Sequence, residues 1–219
     1  MALTIIGTSH IAKESDSAIT KHILSEKPDI VAVELDIQRL HSIFQPPRKL
    51  RIADIPRFGF MGWAFAVIGS WLQRKFGESV DMVPGADMRA AIMAAKQIGA
   101  KIACIDRPIQ ITLRRLSKEM TFFMKLKFFL YLLGGALKSE KLEFSLEKVP
   151  EEKIIRRLTS ELKQKFPVLY KVLVSERDAF IANQIKSLKK ENPQADIVVV
   201  LGAGHLHGVK ALLKRTKTG

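Results

Sequence analysis

The chain has 219 residues, 47% of them apolar, a length that fits one large domain with a substantial core and a composition that excludes disorder over most of it. Its 36 Lys plus Arg against 22 Asp plus Glu give a net charge of +14, which favours acidic partners. The basic residues are scattered through helical stretches without a helix-turn-helix, zinc-finger, RNP or Gly-x-x-Gly signature, so a solvated basic surface is the first reading, a membrane surface the second and nucleic acid only the third.

Ala2–Ile6 is a short apolar run closed by Gly7, a strand and a tight turn. The chain enters this strand at once, with no secretory signal, so the cytoplasm or the cytoplasmic face of a membrane is expected. Ala12–Lys27 reads as an amphipathic helix with Ile19, Ile23 and Leu24 on its apolar stripe and Pro28 beyond its end. Asp29–Glu34 is a β-branched second strand, which completes a β-α-β unit of parallel strands. A helix follows over Asp36–Phe44, then a basic, Pro-containing linker to Arg57. Phe58–Gln73 carries no charged residue, yet is shorter than the roughly 20 residues of a bilayer span.

Gly85–Ile98 is a helix rich in Ala and Met, framed by Pro84 and Gly99. Lys101–Ile105 reads as a buried strand ending in Asp106-Arg107-Pro108. The only cysteine, Cys104, lies in it; a lone Cys makes no intrachain disulfide, which fits a reducing compartment, and a core thiol is expected rather than a nucleophile. Ile109 to about Lys138 is one basic helical segment with a very apolar second half, Thr121–Leu133. Polar helices follow over Pro150–Lys165 and Pro167–Lys190. The last strand, Asp196–Leu201, runs into Gly202-Ala-Gly-His205, and a basic helix closes the chain.

Continuous apolar strands alternating with helices predict an α/β fold: a central, mostly parallel β-sheet flanked by helices. One domain over 1–219 is expected, with an apolar helical insertion at roughly 57–80 and 109–190. Sites in such sheets form at the carboxyl ends of strands. The polar residues collect there: His10 after the first strand, Glu34 and Asp36 at the second, Asp106 and Arg107 at the third, His205 and His207 after the fourth. In each Gly-x-x-His, glycine lets the chain turn off the sheet edge and the imidazole points back over it. Two imidazoles and a carboxylate can hold a divalent metal with open positions for water. The same groups can also work without metal, one His as general base and a carboxylate orienting it. Against this, His10 and His205 could merely cap helices, Glu34 could be a surface strand end, and Arg107 could pair with Asp106 or Asp87 for structure alone. His22 and His41 lie on helical segments and read as surface or core residues.

Ile6-Gly-Thr-Ser-His10, Val31-Ala-Val-Glu-Leu-Asp36 with Arg39, Pro84-Gly-Ala-Asp-Met88, Ile105-Asp-Arg-Pro-Ile-Gln-Ile-Thr-Leu-Arg114, Glu176-Arg-Asp178 and Val200-Leu-Gly-Ala-Gly-His205 fall in the order of the TraB/PrgY pheromone-shutdown family, which the chain resembles over nearly its whole length. More distantly it is similar to the Tiki metalloproteases and to erythromycin esterases. The resemblance implies His10 and His205 as catalytic or metal-binding, with Glu34 as the main carboxylate. It implies supporting roles for Arg107 and Glu176, and substrate contacts at Arg39, Asp87 and Arg114. The position of Asp87 is commonly Glu in the family, and many members carry transmembrane helices after this domain.

The function so implied is a metal-dependent peptidase or hydrolase of peptide or amide substrates, with a divalent ion (Mn, Co or Zn) held by His10, His205 and Glu34, and with Arg107 steadying the substrate carboxylate or oxyanion. The alternative is a non-enzymatic protein that sequesters a peptide or acts at a membrane surface. The two apolar segments are expected to pair with another surface, first a second copy of the chain in a homodimer, then an anionic membrane, the third outcome being that they pack on each other inside one monomer.

Overall fold

The two runs richest in Val and Ile become the inner strands of the sheet. In a computed structural model of the chain, which describes residues 2–8, 13–45, 85–137 and 151–215, β1 (Leu3–Thr8), β2 (Ile30–Val33), β3 (Lys101–Cys104) and β4 (Ile197–Gly202) form one parallel sheet in the order β1-β4-β2-β3. All residues of β2 and β4 are buried, as expected of strands covered on both faces. This is the mixed α/β architecture with a parallel sheet that the sequence predicts. β1 and β2 are successive in sequence, but β4 lies between them.

Side-chain alternation splits the core in two. Val31, Val33, Val198 and Val200 face α1 (Lys13–Glu26) and the helix Ala86–Gln97, which add Ile19, Ile23, Met88, Ala91, Ile92 and Ala95. Ile30, Ala32, Ile197, Val199 and Leu201 face the opposite way, onto Ile181, Ala182 and Ile185 of a helix spanning Glu176–Glu191 and Val209 of the last helix, Ala203–Arg215. Each such aliphatic side chain taken fully from water contributes about 1.5–3 kcal/mol before entropy is charged against it.

With α2 (Ile37–Ser42) between them, the remaining helices in chain order are α3 (Ala86–Gln97), α4 (Ile109–Glu119), α5 (Phe122–Leu137), α6 (Glu151–Lys165), α7 (Pro167–Tyr170), α8 (Glu176–Glu191) and α9 (Ala203–Arg215). A π-helical turn, Lys171–Ser175, joins α7 to α8. A third cluster, Leu116, Met120, Phe166, Leu169 and Val172, ties α4 to α7 and the π turn.

One expectation changes and another is refined. The run Lys101–Ile105, expected as a buried strand, gives β3 at one end of the strand order; Lys101 is exposed and the other three strand residues are half-buried. Burial first, and the Asp36 charge second, push the Cys104 thiol up, so it stays protonated. The helical segment expected over 109–138 divides into two helices, because Met120 is extended (φ −87°, ψ 122°) and Thr121 Oγ1 accepts from Met124 N at 3.3 Å, capping a new start. The face of α5 is largely open, with Phe122 73% and Phe123 79% exposed. Among the described residues no helix is long and apolar enough to cross a membrane. The Phe58–Gln73 segment and the linker before it lie outside the described residues.

Candidate active site

Strand parity decides which side chains meet. Glu34 continues the Ile30–Ala32 series and so leaves the carboxyl end of β2 toward α8 and α9. Beside it β4 ends at Gly202, whose N–H donates to Glu34 Oε2 at 2.8 Å. No turn residues follow: α9 begins at Ala203, so His205 sits in its first turn and is buried. The sharp glycine turn expected here is therefore absent. Gly7 is needed for space instead: it remains in β1, and a Cβ there would overlap the Leu206 side chain, 3.2 Å from Cγ.

His205 lies between two carboxylates. Its Nδ1 is 2.6 Å from Asp178 Oδ1 and its Nε2 is 3.5 Å from Glu34 Oε1. Glu34 Oε1 also accepts from Arg177 Nη2 at 2.7 Å, and the same guanidinium donates to Asp106, Nη2 to Oδ2 at 2.6 Å and Nε to Oδ1 at 3.2 Å. Burial works against the Arg177 charge, but the bonds and proximity of Asp106 and then Glu34 outweigh it, and its pKa is raised. Asp106, at the end of β3, accepts in addition from Arg107 N at 2.8 Å.

Arg107 points away from this group. Its Nε donates to Thr112 Oγ1 at 2.9 Å, Nη1 to Glu176 Oε2 at 3.1 Å and Nη2 to the carbonyl of Val172 at 2.7 Å. That carbonyl belongs to the π turn, in which the Glu176 N–H closes on Lys171 O. Such turns add one residue to a helix and recur at functional sites. Glu176 is gripped from the other side by Arg115, with both oxygens bonded at 2.7 Å. Arg115 first, and Arg107 after it, hold the Glu176 carboxyl below the usual range against the effect of burial. Three consecutive residues, Glu176, Arg177 and Asp178, thus tie α8 to α4, to the ends of β2 and β3, and to α9.

Glu34 and His205 stand together, and Arg107 and Glu176 form the ion pair behind them at 3.1 Å. Arg39 lies at the rim, its side chain 46% exposed and 4.0 Å from Asp106 Oδ2. Asp87, buried in the first turn of α3, accepts from Thr8 Oγ1 rather than pairing with Arg107. Arg114 is exposed on the outer side of α4; its neighbour Arg115 makes the inward contact. Asp36 is the N-cap of α2, accepting from Gln38 N at 2.8 Å and Arg39 N at 3.0 Å. His41 and His207 are exposed, and His22 is half-buried. His10 lies outside the described residues; two residues before it, Thr8 pairs with Gly202 across the sheet.

Sequence reasoning assigned no role to Arg177, Asp178, Arg115 or Gly208. Asp178 carried a signal: it falls three and four residues before Ile181 and Ala182, on the buried stripe of α8. A carboxylate at a buried-stripe position needs a partner. Gly208 lies against it, for a Cβ there would overlap Asp178 Oδ2 and stand 2.7 Å from its Cγ.

A metal is implied for this site by the resemblance, and the donors can be tested against it. Among the described residues no group of three or more His, Cys, Asp or Glu side chains could hold an ion. Two donors do face each other, His205 Nε2 and Glu34 Oε1. Ligands about 2.0–2.2 Å from one ion in a tetrahedral set stand about 3.3–3.6 Å apart, which matches the 3.5 Å seen. The Asp178 bond to Nδ1 matches the carboxylate that commonly backs a metal-bound imidazole. The pair fits two positions of such a site.

The family model for TraB/PrgY/gumN matches residues 2–218. An uncharacterized protein of Methanocaldococcus jannaschii is 37% identical over 221 residues, covering 98% of this chain and 54% of that protein. TraB domain-containing proteins of Mus musculus and Homo sapiens are 24% and 23% identical, each comparison covering 94% of this chain and 61% of the relative. The chain thus spans between half and two thirds of the length of these relatives. With the match running through β1, β4 and every strand end between them, the chain belongs to the TraB/PrgY/gumN family.

Proposed function

We propose that the chain is a metal-dependent hydrolase of peptide or amide bonds, with a divalent ion (Mn, Co or Zn) held by Glu34, His205 and His10. The observation that supports it is the facing of His205 Nε2 and Glu34 Oε1 at 3.5 Å. If Nδ1 donates to Asp178, both facing atoms present lone pairs, an arrangement that suits a cation between them. Bound there, the ion would polarise the scissile carbonyl and strengthen water as a nucleophile.

The chain's own groups have separate tasks in this reading. Glu34 is ligand or general base, and its charge is tempered by Arg177 and by the Gly202 N–H. Arg177, whose Nη1 makes no hydrogen bond among the described residues, takes the role of steadying negative charge on the substrate, since each Arg107 guanidinium nitrogen donates to a protein acceptor. Arg107 and Glu176 then support the site from behind, and Arg39 meets the substrate at the rim.

The test is metal content and turnover together. The chain is equilibrated with Mn, Co and Zn in turn, freed of excess and assayed by elemental analysis, then offered a peptide library. Retention of metal by the native chain, its loss in His10→Ala and His205→Ala, and cleavage dependent on the metal are expected. Retention of none of the three metals refutes the reading. Peptide binding without cleavage by the loaded chain also refutes it, and leaves peptide sequestration.

A further inference from the structure

We propose that Asp178 is the positioning residue that fixes the tautomer of His205, and that position 208 is glycine so that it can. The inference rests on the reading of His205 and Glu34 as the working pair and names what keeps that pair usable.

A neutral imidazole has one ring proton, and His205 stands between two carboxylates that compete for it. If Glu34 took it, Nε2 would become a donor and the pair would close on itself. Distance favours Asp178, at 2.6 Å against 3.5 Å. So does acceptor strength. Glu34 is already engaged by Arg177 at 2.7 Å and by Gly202 N at 2.8 Å, whereas among the described residues Asp178 is hydrogen-bonded to His205 alone. Asp178 is buried on the apolar stripe of α8, in surroundings that strengthen a charge-assisted bond. The proton therefore rests on Nδ1, and the Nε2 lone pair faces Glu34.

Gly208 makes the approach feasible. It lies inside α9, one turn beyond His205, where glycine is an unfavourable helix residue. Any Cβ there would collide with the Asp178 carboxylate and drive it from the imidazole. The backbone of α9 thus carries both the imidazole and the gap that its partner occupies.

The experiment is nitrogen NMR of metal-free protein labelled in its histidine rings, with the His205 signals assigned by loss in His205→Gln. A bare Nε2 and a protonated Nδ1 are expected in the native chain. In Asp178→Ala and Gly208→Ala the proton should appear on Nε2. Zinc affinity, measured by calorimetry with the metal alone, should fall about 10–100-fold in both variants. A native His205 protonated on Nε2, alone or together with Nδ1, overturns the proposal; so does an unchanged tautomer in a folded Asp178→Ala. The native spectrum is decisive even where a variant fails to fold. A purely structural Asp178 would change stability and leave the tautomer alone. An Nδ1–H tautomer in a chain that neither holds metal nor cleaves peptides would uphold this inference and sink the hydrolase.

Discussion

Replacing Arg107 with Ala should cost the fold more than it costs any substrate contact. The guanidinium is 8% exposed and donates to Thr112 Oγ1, Glu176 Oε2 and the Val172 carbonyl at 2.9, 3.1 and 2.7 Å. Three bonds from a charged donor represent a gross loss of about 5–9 kcal/mol. Relief from keeping the charge out of water offsets part of that, and removing one member of a buried pair costs about 3–5 kcal/mol. Glu176 keeps Arg115, which argues for the lower end, about 3 kcal/mol. For a chain of this size that lowers Tm by roughly 6–12 °C. Urea and thermal unfolding followed by circular dichroism measure it, with Arg114→Ala, one residue away on the exposed side of α4, expected to stay within about 0.5 kcal/mol. A loss below about 1 kcal/mol would refute the claim that Arg107 locks the end of β3 to the π turn. Lost turnover with stability intact would put Arg107 at the substrate after all.

Glu34→Gln should abolish hydrolysis while costing no more than about 1–2 kcal/mol, because the amide oxygen can still accept from Gly202 N and Arg177 keeps Asp106; a larger loss in urea unfolding would make Glu34 structural. The Glu176 carboxyl is held below its ordinary 4.5, so its ion pairs contribute fully above that value and are lost as pH falls through the depressed one. Urea midpoints measured from pH 6 to pH 3 should therefore drop at the acid end, and less steeply in Arg115→Ala; parallel curves would remove Glu176 from the acid response. Phe123→Glu, on the open face of α5, should abolish self-association in sedimentation velocity without detergent. A native chain that is already a monomer at micromolar concentration would rule out the dimer.

The inner strands were legible because runs such as Ile-Val-Ala-Val and Ile-Val-Val-Val-Leu have no other way to be buried in so regular a pattern. The end of β3 was legible as a site of charge, but the strand's place at one end of the order was not, since Lys-Ile-Ala-Cys reads alike at an edge and in the middle of a sheet. The break at Met120 has neither Gly nor Pro to announce it; Thr121 as a cap was the available sign. At the site, strand ends pointed to Glu34 and His205, whereas the partners that hold them come from the middle of a long polar helix. One residue of register separates Arg114 in the solvent from Arg115 on Glu176, and the π turn shifts the register of the helix that carries Arg177 and Asp178. For α5, composition marked an apolar face, and Phe122 and Phe123 are the most exposed of its described large residues.

The place of β4 has a consequence for how the chain is made. It is the last of the described strands to be synthesised and it lies between the first two, so until it emerges β1 has no neighbour among the described strands and the β2–β3 pair stands alone. The ends that meet are far apart, as in the bond from Ala2 N to Asp196 Oδ1 across 194 residues. Closing a loop of that length costs about 4–5 kcal/mol of chain entropy, recovered only when β4 zips against both neighbours. Folding is thus expected to be a late and slow event, and before it Glu34 has neither His205 nor Gly202 beside it. A ribosome-bound or prematurely terminated chain would carry the strands and charges of the site without ever assembling them.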